Sequence, residues 1–329
     1  MRYFIFAFAI FFNICTWADD LRPASLTIQQ VNASAFDISW TVPLKNAVPP
    51  EFSVMISGEL RQAGPKIVRR LNNTRRENWR LESAADFAGI AGETVTIVGL
   101  QGSTYEVLLR FVDEDKQTVT AVLNTDRPVY VIPAMDAVES EDTITAYIGL
   151  GIKHILLGLD HLLFVACLVY ISGTRKKLLL TITGFTLAHS VTLILAATEV
   201  LVIPVPPVEA VIALSIVFLA REILKNKAAS VSLKYPVLVS STFGLLHGFG
   251  FASVLGDIGL PEHEKITALL CFNIGVEIGQ LVFVASLLLG FLGFEKLYRP
   301  LSIEQLRFPI GYFCGTLATL WMFGRLVAF

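Results

Sequence analysis

Six long apolar segments fill the second half of this 329-residue chain, and they constrain its fold more than any other feature. Each segment is long enough to cross a hydrocarbon core of about 30 Å as a helix. In lipid, backbone polar groups must pair within such a segment, which makes it helical. We therefore predict an all-α six-helix transmembrane bundle over residues 144–329. The segments run from Ile144 to Ile171, Leu178 to Thr198, Val205 to Leu224, Pro236 to Leu255, Ile266 to Leu292 and Phe308 to Val327.

Composition excludes a water-soluble globule and a nucleic-acid-binding protein. Hydrophobic residues make up 54% of the chain and charged residues 16%, against about 25% charged in soluble domains, and the mean hydropathy is +0.63. The net charge of -2 leaves no basic surface for a phosphate backbone. The sequence also has no Walker loop and no dinucleotide fingerprint, so neither nucleic acid nor nucleotide is an expected partner.

The N-terminus and the loops predict the membrane topology. Arg2 precedes an apolar run, and Thr16 and Ala18 stand at the -3 and -1 positions of a cleavage site, which predicts a signal peptide over residues 1–18; an uncleaved anchor is the alternative. Lys and Arg cluster in alternate loops between the apolar segments, while the loops 199–204 and 256–264 have none. The positive-inside rule then places the N-terminal region and the C-terminus outside the cytoplasm, in a bacterial inner membrane whose lipids surround the helices.

Residues 19–135 are polar, and their period-two apolar patterns predict short strands of an antiparallel all-β sandwich. Trp40 and Phe111 are the expected core residues. The run Ile38-Ser-Trp40, with Tyr105 in the position of a tyrosine corner, resembles fibronectin type III and other immunoglobulin-like (Ig-like) domains. This region could bind a protein partner. Residues 136–143 are the predicted linker.

A basic run lies in the middle of this polar region, from Lys66 to Arg80. We interpret it as a solvated strand face, with anionic lipid headgroups as the alternative contact. All four cysteines lie in apolar runs, which excludes a disulfide scaffold.

Ionisable side chains recur inside the apolar segments, where they are costly and normally face the bundle interior. At 1.5 Å per residue, those in different segments reach a common depth of about 15 Å. They are His154, Asp160 and His161 in the first segment, His189 in the second, His247 in the fourth and Glu277 in the fifth. Imidazole nitrogen suits nickel, cobalt, zinc and copper ions, and carboxylates offset the ion's charge. We therefore predict a divalent transition-metal site near the bilayer centre; a structural interhelical hydrogen-bond cluster is the alternative.

Further residues are expected to support this site. Asn273, Gln280 and Ser190 are predicted to lie behind the ligands or along a pathway, and Glu209 is either a mouth residue or an ordinary interfacial carboxylate. Glycines that let helices approach closely are Gly158, Gly244, Gly248, Gly275 and Gly279.

Several motifs resemble those of the HupE/UreJ family of membrane proteins. The first segment has the pattern H-x-x-x-G-x-D-H from His154 to His161, and related motifs are Phe185 to Thr192, Leu246 to Ala252 and Phe272 to Gln280. The resemblance covers the membrane half and implies nickel or cobalt uptake, with metal binding by His154, Asp160 and His161. Ile155 replaces the family's usual proline, and Phe251 replaces the second histidine of a later motif. The chain is similar to a longer branch with an extracytoplasmic β domain.

Three functions fit these residues. The leading hypothesis is a transporter that binds nickel, cobalt or zinc at the midplane and exposes it to each side in turn. An intramembrane metal-dependent hydrolase acting on lipid or peptide would use three ligands and an activated water. A membrane-anchored sensor or assembly factor would bind its partner through the β domain.

Overall fold

The structure is a computed structural model that describes residues 23–44, 48–71, 74–83, 90–133, 141–198, 200–201, 203–225, 230–258, 262–297 and 303–327. The side chains of 141–143, 251–264, 294–297 and 303–304 are not part of this description. The predicted signal peptide, 1–18, lies outside the described residues, as does linker segment 136–140. The chain divides into two compact units: a β unit of Arg22–Gly149 with Ser253–Cys271, and a helical unit of Leu150–Ala252 with Phe272–Phe329.

Nine strands among the described residues form two sheets in the β unit. They are β1 (Ala24–Asn32), β2 (Ala35–Pro43), β3 (Ser53–Ile56), β4 (Leu60–Leu71), β5 (Thr74–Ser83), β6 (Thr94–Val98), β7 (Val107–Val112), β8 (Thr118–Leu123) and β9 (Val129–Val131). One sheet has the order β4-β5-β2-β1-β7-β8 and the other β3-β6-β9. Because alternate residues of a strand face opposite sides, both sheets contribute apolar side chains to one core. Trp40 and Phe111, each 3% exposed, lie in that core as predicted.

One strand pair departs from the predicted antiparallel arrangement. Strand β1 pairs with β7 in parallel, with Ala24 opposite Val107 and Gln29 opposite Val112. A tight hairpin forces antiparallel pairing only on strands that are neighbours in sequence, and more than 70 residues separate these two strands. The prediction of wholly antiparallel sheets is therefore wrong at this pair.

The basic run lies on β4 and β5, which the period-two patterns did not predict as strands. A register shift between Ala63 and Ile67 interrupts the alternation of inward-facing and outward-facing side chains in β4. The sequence of β4 therefore lacks the period-two apolar pattern of a regular strand. Several of its basic side chains contact neighbours within the sheet. Arg80 donates two hydrogen bonds to Asp37 (2.7 and 2.9 Å), and these bonds together with the charge of Asp37 raise the pKa of Arg80. The ammonium of Lys66 lies 4.2 Å above the Trp79 ring, and the side chains of Lys66 and Arg80 keep 45% and 46% of their surface exposed.

The helices carry the second half of the chain. They are α1 (Glu141–Leu157), α2 (Leu159–Ser172), α3 (Arg175–Ala197), α4 (Val205–Lys225), α5 (Val231–Lys234), α6 (Pro236–Ile258), α7 (Glu262–Leu297) and α8 (Arg307–Val327), with a 3-10 turn at Ile303–Leu306. In the described residues, three helices are long and apolar enough to cross a membrane: Arg175–Ala197, Lys265–Gly293 and Arg307–Val327. The pair α1 and α2 makes a fourth span if the two helices count as one, although a 73° bend separates them.

Close backbone approaches define the relative directions of the helices. A Cβ atom on Gly184 would lie 3.2 Å from Val237, and one on Gly248 would lie 2.4 Å from the carbonyl oxygen of His189, so α3 and α6 run in the same direction. Helices α1 and α7 also run together, since Gly151 approaches Phe272 and Gly279 approaches Ile152.

Helix α4 runs opposite to two of its neighbours. Gly250 of α6 approaches Ile212 and Val208, while Ser215, further along α4, contacts His247. Against α8, Leu224 meets Gly311, whereas Glu209 at the other end of α4 forms an ion pair with Arg325. Helix α4 is therefore antiparallel to both α6 and α8.

Candidate functional site

A break in the first apolar segment places three of the predicted site residues together. His154 lies in the last turn of α1, and Asp160 and His161 lie in the first turn of α2. Gly158 separates the two helices with φ -75° and ψ 96°, outside the helical region. A carboxylate at a helix N-terminus is stabilised by the helix dipole, which favours Asp160 where it stands. Gly158 thus lies at a bend rather than in the helix-to-helix contact that the sequence suggested.

The imidazole of His161 lies between those of His154 and His247. The ring centroids of His161 and His154 are 4.8 Å apart, and those of His161 and His247 are 5.4 Å apart. Nδ1 of His161 lies 2.9 Å from Oδ1 of Asp160. Residues from α1, α2 and α6 thereby form a row of three imidazoles beside one carboxylate.

Two phenylalanines and a serine surround His247. Phe164 and Phe185 lie with ring centroids 5.0 and 5.1 Å from the His247 ring, and Oγ of Ser215 is 3.3 Å from its Nε2. The ring of His189 in α3 stacks on the Phe185 ring, with centroids 5.9 Å apart. All four predicted histidines are thus connected by ring contacts, directly or through Phe185.

Ring nitrogens of two of these histidines face no hydrogen-bond partner. Both nitrogens of His189 are buried without a partner among the residues that the structure describes. The same holds, within that described part, for Nδ1 of His247. Both side chains are only 1% exposed, and buried polar groups are normally paired with protein or water. These nitrogens are therefore free to bind a ligand.

The arrangement does not by itself form a complete coordination sphere. Across the described residues, no group of three or more His, Cys, Asp and Glu side chains converges in a geometry that could hold a metal ion. The rings lie edge to face, with an angle of 64° between His154 and His161. Side-chain rotation is needed before several nitrogens point at one ion.

Glu277 lies on a separate polar contact between α3 and α7. Oγ1 of Thr183 donates a hydrogen bond of 2.7 Å to Glu277, and Oγ1 of Thr186 lies 3.0 Å from Oε1 of Gln280. Asn273, on the same helix, is buried next to Phe272, whose ring lies 5.4 Å from that of His154. The predicted ligand Glu277 is thus joined to a threonine, and the described contacts do not join it to an imidazole.

The remaining predicted residues occupy several positions. Ser190 donates a hydrogen bond of 2.7 Å to the carbonyl oxygen of Thr186 in its own helix. Its only hydroxyl proton is therefore used within α3. Glu209 accepts an ion-pair contact of 3.1 Å from Arg325, so this carboxylate joins α4 to α8. A Cβ on Gly244 would lie 2.5 Å from the carbonyl oxygen of Phe185, and Gly275 is buried in α7.

Sequence reasoning did not single out Ser215, Thr183, Phe164 and Phe185, which contact predicted site residues. The signal for Ser215 was present, because it is a single hydroxyl in the apolar run Ile212-Ala-Leu-Ser-Ile-Val217. A polar side chain in such a run is a candidate partner for a polar group on another helix. Phe185 carries no such signal, since apolar side chains abound in every helix.

The apolar helices and the buried polar cluster define a class of protein, a membrane protein with imidazoles inside its helical unit. The family model described as HupE / UreJ protein matches residues 132–325, more than half of the chain, and the chain belongs to this family. That family is associated with nickel and cobalt transport. No curated protein and no solved structure matches the chain.

Proposed function

We propose that this protein transports a divalent transition-metal ion of the nickel or cobalt class, bound by its buried histidines. The observation that carries the proposal is the set of unpartnered nitrogens on His189 and His247, in side chains that are almost fully buried. Leaving a buried donor or acceptor unpaired costs about 1–3 kcal/mol. Coordination of an ion would offset this cost.

The chemistry of the four histidines fits such an ion. Two imidazoles on one tetrahedral ion, with metal–nitrogen distances of about 2.0–2.1 Å, place their ring centroids roughly 5 Å apart. The observed separations of 4.8 and 5.4 Å around His161 are of this size, so ring rotation at this spacing would aim nitrogens at one ion. Asp160, hydrogen-bonded to His161, supplies negative charge beside the ion.

Transport, rather than permanent binding, follows from where the ligands lie. They come from four helices, α1, α2, α3 and α6, so relative movement of these helices would change the number of nitrogens that reach the ion. Discontinuous helices at a binding site are characteristic of alternating-access transporters, and the break at Gly158 lies within the site. The family's association with nickel and cobalt transport supports this conclusion.

We further infer that six segments cross the membrane, with the N-terminal region and the C-terminus on the side opposite the basic loops. In an alternating chain, the first and fifth spans run together, as do the second and fourth. The directions of α1 with α7 and of α3 with α6 agree with this pattern, as do the antiparallel pairs of α4. The N-terminal region is then an extracytoplasmic β-sandwich of residues 19–135, a candidate surface for a protein partner.

Metal content and metal flux test the proposal together. We expect detergent-purified wild type to bind nickel or cobalt, and the variants His154→Ala/His161→Ala and His247→Ala to bind much less. The control is His263→Ala, the fifth histidine, whose side chain lies outside the described residues. Proteoliposomes with wild type should take up nickel or cobalt, and those with the variants should not. Wild type that binds none of nickel, cobalt and zinc, or that binds metal tightly without any flux, would overturn the proposal.

A further inference from the structure

The hydroxyl of Ser215 occupies a defined position between its own helix and His247. Ser215 lies in the middle of α4 and is 1% exposed. Its Oγ donates a hydrogen bond of 2.6 Å to the carbonyl oxygen of Ile212 and lies 3.3 Å from Nε2 of His247. Both contacts are inside the helical unit, away from water.

The proton inventory of these groups fixes the tautomer of His247. A serine hydroxyl has one proton, and the shorter contact directs that proton to the carbonyl oxygen of Ile212, which can only accept. Toward His247, Oγ of Ser215 must then act as acceptor, and Nε2 must carry the imidazole proton. In the neutral ring the other nitrogen, Nδ1, has the lone pair. Within the described part of the chain, Nδ1 has no hydrogen-bond partner.

The orientation of the ring is restricted as well as its tautomer. Phe164 meets the His247 ring at an interplanar angle of 48°, and Phe185 meets it edge to face at 77°. With Ser215 at Nε2, a 180° flip of the ring about Cβ–Cγ would place Cε1 where Nε2 now lies. The flipped ring would lose the polar contact to the Ser215 hydroxyl.

We propose that Ser215 is a positioning residue for the transported ion, holding the Nε2–H tautomer of His247 so that Nδ1 binds the metal. The inference rests on the proposed function and names the atom through which His247 acts. The second nitrogen of a metal-binding histidine is usually held by such a hydrogen bond.

Nitrogen NMR of histidine-labelled, full-length protein in detergent tests the tautomer directly, without added metal. The resonances of His247 are assigned by their loss in His247→Ala. We expect wild type to show a protonated Nε2 and an unprotonated Nδ1. In Ser215→Ala the acceptor is gone, and the spectrum should show a mixture of both tautomers. A protonated Nδ1 in wild type would overturn the role of Ser215.

Nickel titration supplies the second measurement and separates positioning from general packing. We expect Ser215→Ala to bind nickel about 10–100-fold more weakly, the usual effect of removing such a hydrogen bond. The matched control is Ser240→Ala in α6, which loses a buried hydrogen bond of 2.9 Å to Thr181 and should keep wild-type affinity. Equal weakening in both variants would contradict the positioning role. Wild type with the expected tautomer and no affinity for nickel, cobalt or zinc would instead overturn the proposed function.

Discussion

The hydrogen-bond partners of the buried histidines distinguish a ligand site from a structural hydrogen-bond cluster in this protein. In a structural cluster, hydroxyls or carbonyls of neighbouring helices would pair with the ring nitrogens. His247 has one such neighbour, Ser215, whereas neither nitrogen of His189 has a partner among the described residues. Threonines are available on α3, but Thr192 donates to the carbonyl oxygen of His189 rather than to its ring. This distribution favours the ligand site.

Gly248 is the residue at which helix packing and the histidines meet. A Cβ here would lie 2.1 Å from Oγ1 of Thr192 and 2.4 Å from the carbonyl oxygen of His189. We expect Gly248→Ala to force α3 and α6 apart, separating His189 from His247. Overpacking of this kind costs about 1–3 kcal/mol, so the melting temperature and the nickel content of the purified protein should both fall.

The control for this prediction is Gly290→Ala in α7, where an added Cβ meets nothing within 4 Å. Alanine favours a helix over glycine by about 1 kcal/mol, so this variant should melt at or above the wild-type temperature. Nickel binding by Gly248→Ala that equals the wild-type level would show that the close approach of the two helices does not matter for the site.

Among the helices, the sequence did not predict the break between α1 and α2. The segment from Ile144 to Ile171 contains no proline and no polar loop, so the sequence predicts one helix. At Gly158 the backbone leaves the helical region, and the two helices bend by 73°. Residues seven apart return to nearly the same face of a continuous helix, whereas His154 and His161 meet across the bend, with ring centroids 4.8 Å apart.

Substitution of Gly158 tests whether this break serves the site. Its φ and ψ are open to any residue, so alanine adds no backbone strain. The new Cβ would lie 2.7 Å from Nδ1 of His161 and 2.8 Å from the carbonyl oxygen of His154. We expect Gly158→Ala to displace the His161 ring and weaken nickel binding several-fold, with a smaller change in melting temperature than Gly248→Ala.

Gly149→Ala in α1 is the matched control, because an added Cβ there meets nothing within 4 Å. It should keep wild-type nickel affinity in the same titration. If Gly158→Ala binds nickel as wild type does, the ring of His161 tolerates the added methyl group, and the space that Gly158 leaves does not matter for the site.

For the whole molecule, labelling of substituted cysteines tests the proposed topology. Val200 and Tyr235 are 72% and 50% exposed and lie in connections predicted to face opposite sides of the membrane. We expect an impermeant maleimide to label Val200→Cys in intact spheroplasts and Tyr235→Cys only after permeabilisation. The native cysteines of the described residues give little background, since Cys167, Cys271 and Cys314 are buried. Labelling of both positions from the same side would overturn the six-span arrangement.

The sequence by itself determined the division into an N-terminal β region and a helical part, most of the strands, and the presence of histidines inside apolar helices. These properties depend on local composition and periodicity, because the free energy of burying a residue in lipid or in a core depends mainly on its own side chain. The edge strand β4 lacks a period-two pattern because its register shift interrupts the alternation.

Only the tertiary structure decided the parallel pairing of β1 with β7, the bend at Gly158, the threonine partner of Glu277 and the serine partner of His247. Each of these depends on the distance between groups that are far apart in the chain or on a backbone angle at one residue. The nitrogen that an imidazole offers to an ion is set by its neighbour on another helix. The residue types could therefore be predicted from sequence, whereas the atoms that face one another could not.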